Sequence, residues 1–548
     1  MNLANLGLSG INAAQNRLQT AGHNLNNADT VGYNRQTVLA QTAGATGTHA
    51  GYIGRGVQAV TVQRAYDSFL YRQLVGAQTT GAALVSYGNE ISQINNLFAD
   101  RTVGITPALQ NFFDSMQAAA SAPADPAARQ ELLGRASSLV GQINDANGFL
   151  TNQRENINTQ ITTTVTQVNS YVERVRDLNT QIQTARATNP GHEPNDLLDQ
   201  RDQLVSELSQ LVDVKAIEQD GKVGLVVGNG QVLLGGDTVF PLHTQPSAAD
   251  PSRVVIAYSV ITQGGAMSQV EMREDAISGG KLGGLMSYRR DALDSVQNEL
   301  GRLAAGLAMA VNDIHRTGTD LNGVAGGDVF SLGPIKVLSG SKNTGTGGIT
   351  ADFSDANKLT GQDYRVDYDA TSGGYTVTSL PNGQPVSIVD GDVVDGVKFS
   401  IQPGTPAAAD SWTVQPTRTA AESLKLVISD ASKLALASPN TGTANGDIGL
   451  KLAQLQTDKV LGNGSMSLNE SFSKIVNKVG VLTQQNGTAA KAQATLIQQN
   501  FAAQQALSGV NLNEEYVNLD RYQEQFRAAS RLIEVSSTLF DTLLGMRS

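Results

Sequence analysis

The sequence predicts an α+β multidomain chain: coiled-coil terminal helices, an elongated helical bundle, and inserted outer β domains. Three observations predict it. First, both ends carry heptads. Leu512, Leu519, Phe526, Ile533 and Phe540 recur every seven positions near the C-terminus, the repeat of a seam that needs a partner helix. Near the N-terminus, Ala4, Ile11, Leu18 and Leu25 make one row, and Gly7, Ala14, Ala21 and Ala28 make a row of small residues beside it. Second, long stretches between the ends keep helical spacing, most of all Leu139 to Ile182. Third, the apolar period changes to alternation twice, over 213–275 and 327–418, with glycine turn pairs between the runs.

Taken in order, residues 1–28 form a helix of poor propensity, rich in Asn and broken into by Gly7, Gly10 and Gly22. Alone in water it is marginal. The Asn residues weaken its last turn, Asp29 and Thr30 suit a turn, and Gly32 can take positive φ before an extended run from Tyr33 to Val38. Residues 39–63 are a glycine-rich connector with a short hairpin ending in Val57–Val62. Helices follow over 66–98, 105–120 and 127–187, the second stopped by Pro123 and Pro126 and the third by Asn189-Pro190-Gly191. Pro194 opens a further helix to Leu211. The region 213–275 reads as a small β subdomain with turns at Asp220-Gly221, Asn229-Gly230 and Gly235-Gly236.

Helix returns over 281–315. Residues 327–418 form an outer β domain with strands at 364–368, 375–380, 386–389, 397–401 and 411–414, a hairpin at Asn382-Gly383, and Trp412 in its core. Short helices are expected at 422–435 and 449–455. A long one at 467–507 should pack antiparallel to the 139–187 rod. The terminal helix, 513–544, contains neither Pro nor Gly and spans roughly 50 Å. The domains are therefore 1–38 with 510–548 as paired terminal helices; 39–212, 276–326 and 419–509 as the bundle; 213–275 as the β subdomain; and 327–418 as the outer β domain. The mechanism this suggests is helix pairing, in which Leu3, Ile11, Leu18 and Leu25 meet Leu519, Phe526, Ile533 and Phe540. Both ends are loose alone and order on pairing with each other and with neighbouring subunits.

Composition narrows the functional classes. The chain has 548 residues, no cysteine and a formal net charge of −11, which excludes a thiolate metal site and argues against nucleic acid or an anionic membrane as partner. No basic-then-apolar leader is visible, and no run of 18 apolar residues occurs. His23, His49, His192, His243 and His315 lack metal-ligand spacing. His315 near a helix end is favoured as a partly charged imidazole. Asp320-Leu321-Asn322-Gly323 opens like a calcium loop, but the twelfth position is Ser331 rather than Glu. Ser471 and Lys474 match S-x-x-K without the accompanying motifs. No catalytic set, cofactor or metal is expected.

Residues 24–33, NLNNADTVGY, resemble the N-terminal signature of the bacterial flagellar axial proteins: rod, hook and hook-associated proteins. Residues 511–533, NLNEEYVNLDRYQEQFRAASRLI, resemble the other end of that family. GYNRQ (32–36), QRAYDSFL (63–70), and ELGRLA with HRTGTDLNG (299–323) resemble its hook-associated branch at the hook–filament junction. The resemblance covers both ends and the helical middle, and 327–418 less securely. It implies a structural subunit that joins hook to filament, self-assembling into a ring or helical layer beside the hook protein and a second hook-associated junction protein. It implies secretion through the flagellar type III export channel, and an export chaperone on the C-terminal helix, about 512–546, with Leu519, Tyr522, Phe526 and Ile533 at its binding site. The alternatives are a hook or distal-rod subunit, against which the long helical middle argues, and a surface adhesin or peptidoglycan-cleaving flagellar protein, which would need an acid pair or His/Cys set in 327–418.

Overall fold

The computed structural model describes residues 3–49, 51–99, 104–228, 230–261 and 267–546. Asn229 of the expected Asn229-Gly230 turn, and the first and last two residues of the expected terminal helices, lie outside the described residues. The chain opens with α1 (Leu3–Asn26) and continues as a long antiparallel ribbon: β1 (Gln36–Thr42), β2 (Ala45–Thr48), β3 (Gly51–Gly54) and β4 (Val57–Arg64). β1 pairs with β4 and β2 with β3, so strand covers nearly the whole connector.

The bundle begins with α2 (Ser68–Ala99), α3 (Ile105–Ser121), α4 (Pro126–Thr188) and α5 (Asn195–Leu211). Asp125 caps α4, its carboxylate accepting from the backbone of Ala127 and Ala128, with Pro126 in the first turn. α4 then runs unbroken for 63 residues, about 95 Å at the helical rise.

Two sheets lie along α4. One has the order β5 (Val214–Gln219), β6 (Lys222–Val227), β7 (Gln231–Gly235), β8 (Thr238–Val239); the other joins β9 (Leu242–Pro246), β10 (Val254–Ile261) and β11 (Met267–Glu271). Asp220 and Gly221 both take positive φ, 53° and 75°, as a two-residue hairpin requires. Asparagines on α4 fasten the sheets. Asn179 donates to the Val223 carbonyl and accepts its N–H, at 2.8 and 3.1 Å. Asn169 does the same for Leu242 at 2.8 and 2.9 Å. Each amide stands in for a strand neighbour, pairing the backbone N–H and carbonyl of Val223 and of Leu242. Val223, Leu225, Leu233, Leu242 and Ile256 share one core with Ile157, Ile161 and Val172 of α4. The sheets are built onto the bundle.

α6 (Gly280–Tyr288) passes through a single π turn at Arg289–Leu293 into α7 (Asp294–His315). The outer domain follows: β12 (Phe330–Ser331), β13 (Lys336–Ser339), β14 (Gly348–Phe353), β15 (Tyr364–Asp369), β16 (Gly374–Ser379), β17 (Val386–Ile388), β18 (Val393–Val394), β19 (Val397–Gln402) and β20 (Ser411–Gln415). A five-stranded sheet, β13-β20-β15-β16-β17, faces a three-stranded one, β14-β19-β18. Trp412, Tyr364, Val366, Val377 and Phe399 fill the space between them as a second core. Asn382-Gly383 lies in the loop from Leu380 to Pro385 that joins the antiparallel pair β16 and β17, so the expected hairpin is present with a connection longer than two residues.

The chain returns through α8 (Ala420–Ser423), β21 (Lys425–Leu426), α9 (Asp447–Gln454), α10 (Leu468–Ser508) and α11 (Leu512–Gly545). Two expectations are corrected here. Residues 422–435 are not a helix. One turn ends at Ser423, β21 pairs with β12, and Asp430 then caps a single 3₁₀ turn. Nor does α10 lie along the 139–187 rod. It packs on α2 and, through its first turns, on α7, while α3, α5 and the two sheets cover α4. Asn486, Gln493 and Asn500, seven residues apart, donate to the α2 carbonyls of Leu84, Ala77 and Gln73 at 3.0, 2.8 and 3.3 Å. Gly81 and Gly88 leave room on α2 for Ile497 and Asn486.

Candidate assembly site

α1 and α11 pair antiparallel. Arg17 donates to Gln525 at 3.0 Å and lies over the Tyr522 ring, and Gly10 and Gly7 face Ala529 and Ile533. The contact is closest at Gly7, where an added Cβ would sit 2.6 Å from Ile533 Cγ1 and 2.9 Å from the Ala529 carbonyl oxygen. The small row of α1 is the one α11 covers: Gly7, Ala14 and Ala21 are buried. Of the contact residues expected on α1, Leu3 is exposed and Ile11, Leu18 and Leu25 are half-buried. On α11, Leu519, Tyr522, Phe526 and Ile533 are half-buried, while Glu515, Ala529 and Ser536 are buried. Small residues at the centre let the backbones close, so the large side chains sit at the rim of the seam, half open to solvent. Phe540 is 61 % exposed, because α11 outruns α1. Its last turns, with Leu539, Phe540, Leu543 and Leu544, have no described α1 residue opposite them.

A polar latch ties this pair to the bundle, and the 24–36 stretch builds it. Asn24, buried, donates to the Gln36 carbonyl at 2.8 Å and accepts its N–H at 2.9 Å and the Tyr33 hydroxyl at 2.7 Å. The asparagine expected to weaken the last turn of α1 is what docks β1 against it. Gly32 takes φ +81° beside Gln203. The Asn34 amide donates to Asp199 of α5 at 2.6 Å, and Arg64 bridges Asp199 and Asp202 at 2.7 and 2.8 Å. Arg35 reaches the other terminus, pairing with Glu514 and with buried Glu515 at the head of α11, both at 2.8 Å. Burial, reinforced by Asp196 and Asp199, holds the Tyr33 hydroxyl well above its usual range, so it stays a donor. Arg35, Arg64, Asp199 and Glu515 were not among the sequence-derived candidates. Each is a single charged residue far in sequence from its partner, and no spacing signals the meeting.

Elsewhere, charge is concentrated where the bundle, the small sheets and the outer domain meet. Arg154, Arg253, Arg289 and Arg418 face Asp250, Glu274, Asp294 and Asp363. Arg154 and Arg253 both reach Asp294, Arg289 reaches Glu274 at 2.6 Å, and Arg418 reaches Asp250 and Asp363. Four cations balance four anions in this cluster, which is a structural clasp. His315 is a correction. It is fully buried, its Nδ1 pairing with the Gly327 carbonyl at 2.7 Å and its Nε2 accepting from the Ala435 N–H at 2.8 Å. Burial holds its pKa below the usual value, so the ring is neutral and the helix end does not charge it. Asp320 closes its own turn, accepting from Asn322 and Val324. Among the described residues no three His, Asp or Glu side chains converge to hold a metal, and no helix is long and apolar enough to cross a membrane.

Comparison with known proteins agrees with this geometry. Residues 91–330 match the family model described as the flagellar hook-associated protein FlgK helical domain, and 338–416 match that of the flagellar hook-associated protein 1, D2-like domain. The chain is 36 % identical over 556 residues to flagellar hook-associated protein 1 of Escherichia coli and 37 % over 557 residues to that of Salmonella typhimurium, covering 100 % of both chains in each case. The structure of the flagellar hook junction protein FlgK from Burkholderia pseudomallei superposes with a TM-score of 0.74 at 28 % identity, covering 80 % of this chain and 100 % of that one.

Proposed function

The chain belongs to the flagellar hook-associated protein 1 family, and from that premise we propose that its copies join through the paired terminal helices. It is a structural subunit of the bacterial flagellum at the hook–filament junction, where it assembles with hook and junction components. In our reading the copies form a ring or short helical layer, with the hook protein on one side and a second hook-associated junction protein on the other. The terminal pair, 1–38 with 510–548, is the assembly unit. The bundle, with the small sheets on it, is the wall, and 327–418 is the outer domain. The rim residues Leu3, Ile11, Leu18 and Leu25 and their counterparts Leu519, Phe526, Ile533 and Phe540 carry the contacts between copies.

The observation that carries this reading is the half-open seam. A single chain pairs its ends yet leaves Leu539, Phe540, Leu543 and Leu544 between 50 and 66 % exposed. Covering each contributes about 1–2 kcal/mol, a driving force available only from a neighbour. The same surface suits an export chaperone that covers 512–546, including Leu519, Tyr522, Phe526 and Ile533, before secretion through the flagellar export channel. No catalytic role is assigned. Deleting 512–548 tests the proposal: the middle should unfold as cooperatively as before, and hooks in cells making only this variant should carry no filaments. Filaments that still attach would overturn it.

A further inference from the structure

Two elements project from the same end of the terminal pair. The β1–β4 ribbon starts beside Asn24, where Gln36 docks, and runs along α1 to Gly56, which abuts Ser9 and Leu6. Beyond Gly56 the β2–β3 tip extends roughly 20 Å at the strand rise, whereas only Leu3 to Asn5 of described α1 remain. Among the described residues β2 and β3 pack chiefly on each other, and both faces of the tip are exposed, with Tyr52 at 86 %. At this same end, α11 runs past α1. Its final turns expose Phe540 and Leu543.

The two projections are complementary in charge. Between Asp29 and Asp67 the chain has no carboxylate, and the tip carries exposed His49 and Arg55. Between Arg531 and Arg547, α11 has no cation and presents Glu534 and Asp541. Within one chain they do not meet. Rotation about a common axis, however, puts the same end of every copy at the same level, so one copy's ribbon and the next copy's helix end lie at one height. A contact between them is heterologous, and repeated it closes a ring or continues a layer.

We propose that the β2–β3 tip of each subunit docks on the final turns of α11 of the adjacent copy of this chain, Tyr52 and Ile53 against Phe540 and Leu543, and Arg55 against Asp541. This rests on the assembly reading above and specifies its lateral contact. The absence of native cysteine permits a direct test. Tyr52→Cys and Leu543→Cys are made in separate full-length chains, which are co-produced in cells lacking their own junction protein. Isolated hook–filament junctions are then treated with a short bismaleimide.

A species of twice the chain's mass is expected from the mixture and from neither variant alone. Intact junctions without that species overturn the docking and leave the assembly reading standing. Failure of the unaltered chain to attach filaments overturns the assembly reading itself. Should a cysteine variant assemble poorly, Arg55→Asp replaces it. Attachment is expected to fall by about tenfold from like-charge contact and to recover with Asp541→Arg in the same chain, while no recovery, with monomer unfolding unchanged, overturns the docking.

Discussion

Substituting alanine separately for Gly7 and Gly22 distinguishes close helix packing from helix propensity as the force shaping α1. Both glycines lie inside α1, and each costs about 1 kcal/mol relative to alanine in a helix. On propensity alone the two variants gain equally. Packing separates them. At Gly22 an added Cβ meets nothing within 4 Å, whereas at Gly7 it falls 2.6 Å from Ile533 Cγ1, 2.9 Å from the Ala529 carbonyl oxygen and 3.2 Å from the Ile533 nitrogen. Ile533 Cγ1 can swing aside, but the two backbone atoms move only if α11 moves. Such overpacking costs about 1–3 kcal/mol. Gly22→Ala should therefore stabilise the terminal pair by about 1 kcal/mol, and Gly7→Ala should run from neutral to a loss of about 2 kcal/mol. Amide exchange across residues 3–26 and 512–545 of the full-length monomer reads local opening directly. Slower exchange in Gly22→Ala and unchanged or faster exchange in Gly7→Ala is the expected outcome. Equal slowing in both would refute the packing argument.

Three further outcomes follow from buried polar groups. Asn179→Ala strips both partners from Val223 and should cost about 2–4 kcal/mol in denaturant unfolding, against less than about 0.5 kcal/mol for the exposed Asn152→Ala. Asp294→Asn leaves Arg154 and Arg253 facing a neutral amide, with an expected loss of about 3–5 kcal/mol. Burial alone would raise the Asp294 carboxyl, but Arg253, Arg154 and Arg418 hold it well below the usual carboxylate range; its contribution is present above pH 3.8, the ordinary value, and is lost as pH falls through the lower folded value, a loss that Asp294→Asn should abolish in acid titration. His315 titrates below the ordinary 6.5 because it is buried, so its share of stability is intact above that value and declines as pH falls beneath it. An unfolding series from pH 7.5 to 5.5 should show that decline in the unaltered chain and a shallower one in His315→Gln.

The helices were legible because their apolar period is local, and so were the strands of the outer domain, where alternation and turn pairs coincide. What escaped was set by partners distant in sequence. Residues 422–435 have apolar spacing loose enough for a helix, but Lys425 and Leu426 pair with a strand almost 100 residues earlier. The α2–α10 seam was invisible to hydrophobic periodicity because amides build much of it: Asn486, Gln493 and Asn500 keep the heptad without being apolar. The latch was equally hidden, since Arg35 and Glu515 lie 480 positions apart. His315 shows the same limit from the other side. A helix end suggested charge, and only the tertiary setting showed that both ring nitrogens are already taken.

At Gly7 the weakness of α1 and its role in assembly have one physical cause. A terminal helix with Leu at position 7 would be a stronger helix, but its side chain would hold α11 too far away for the Ala529–Ile533 backbone to sit against it. Gly7 gives up propensity in exchange for close approach, Ala14 and Ala21 keep both, and close approach turns the large residues of both helices outward to the rim. The rim therefore stays half open in any single copy, and the free turns of α11 stay uncovered. A chain that hid these surfaces within itself would be more stable as a monomer and would have nothing left to offer the next subunit.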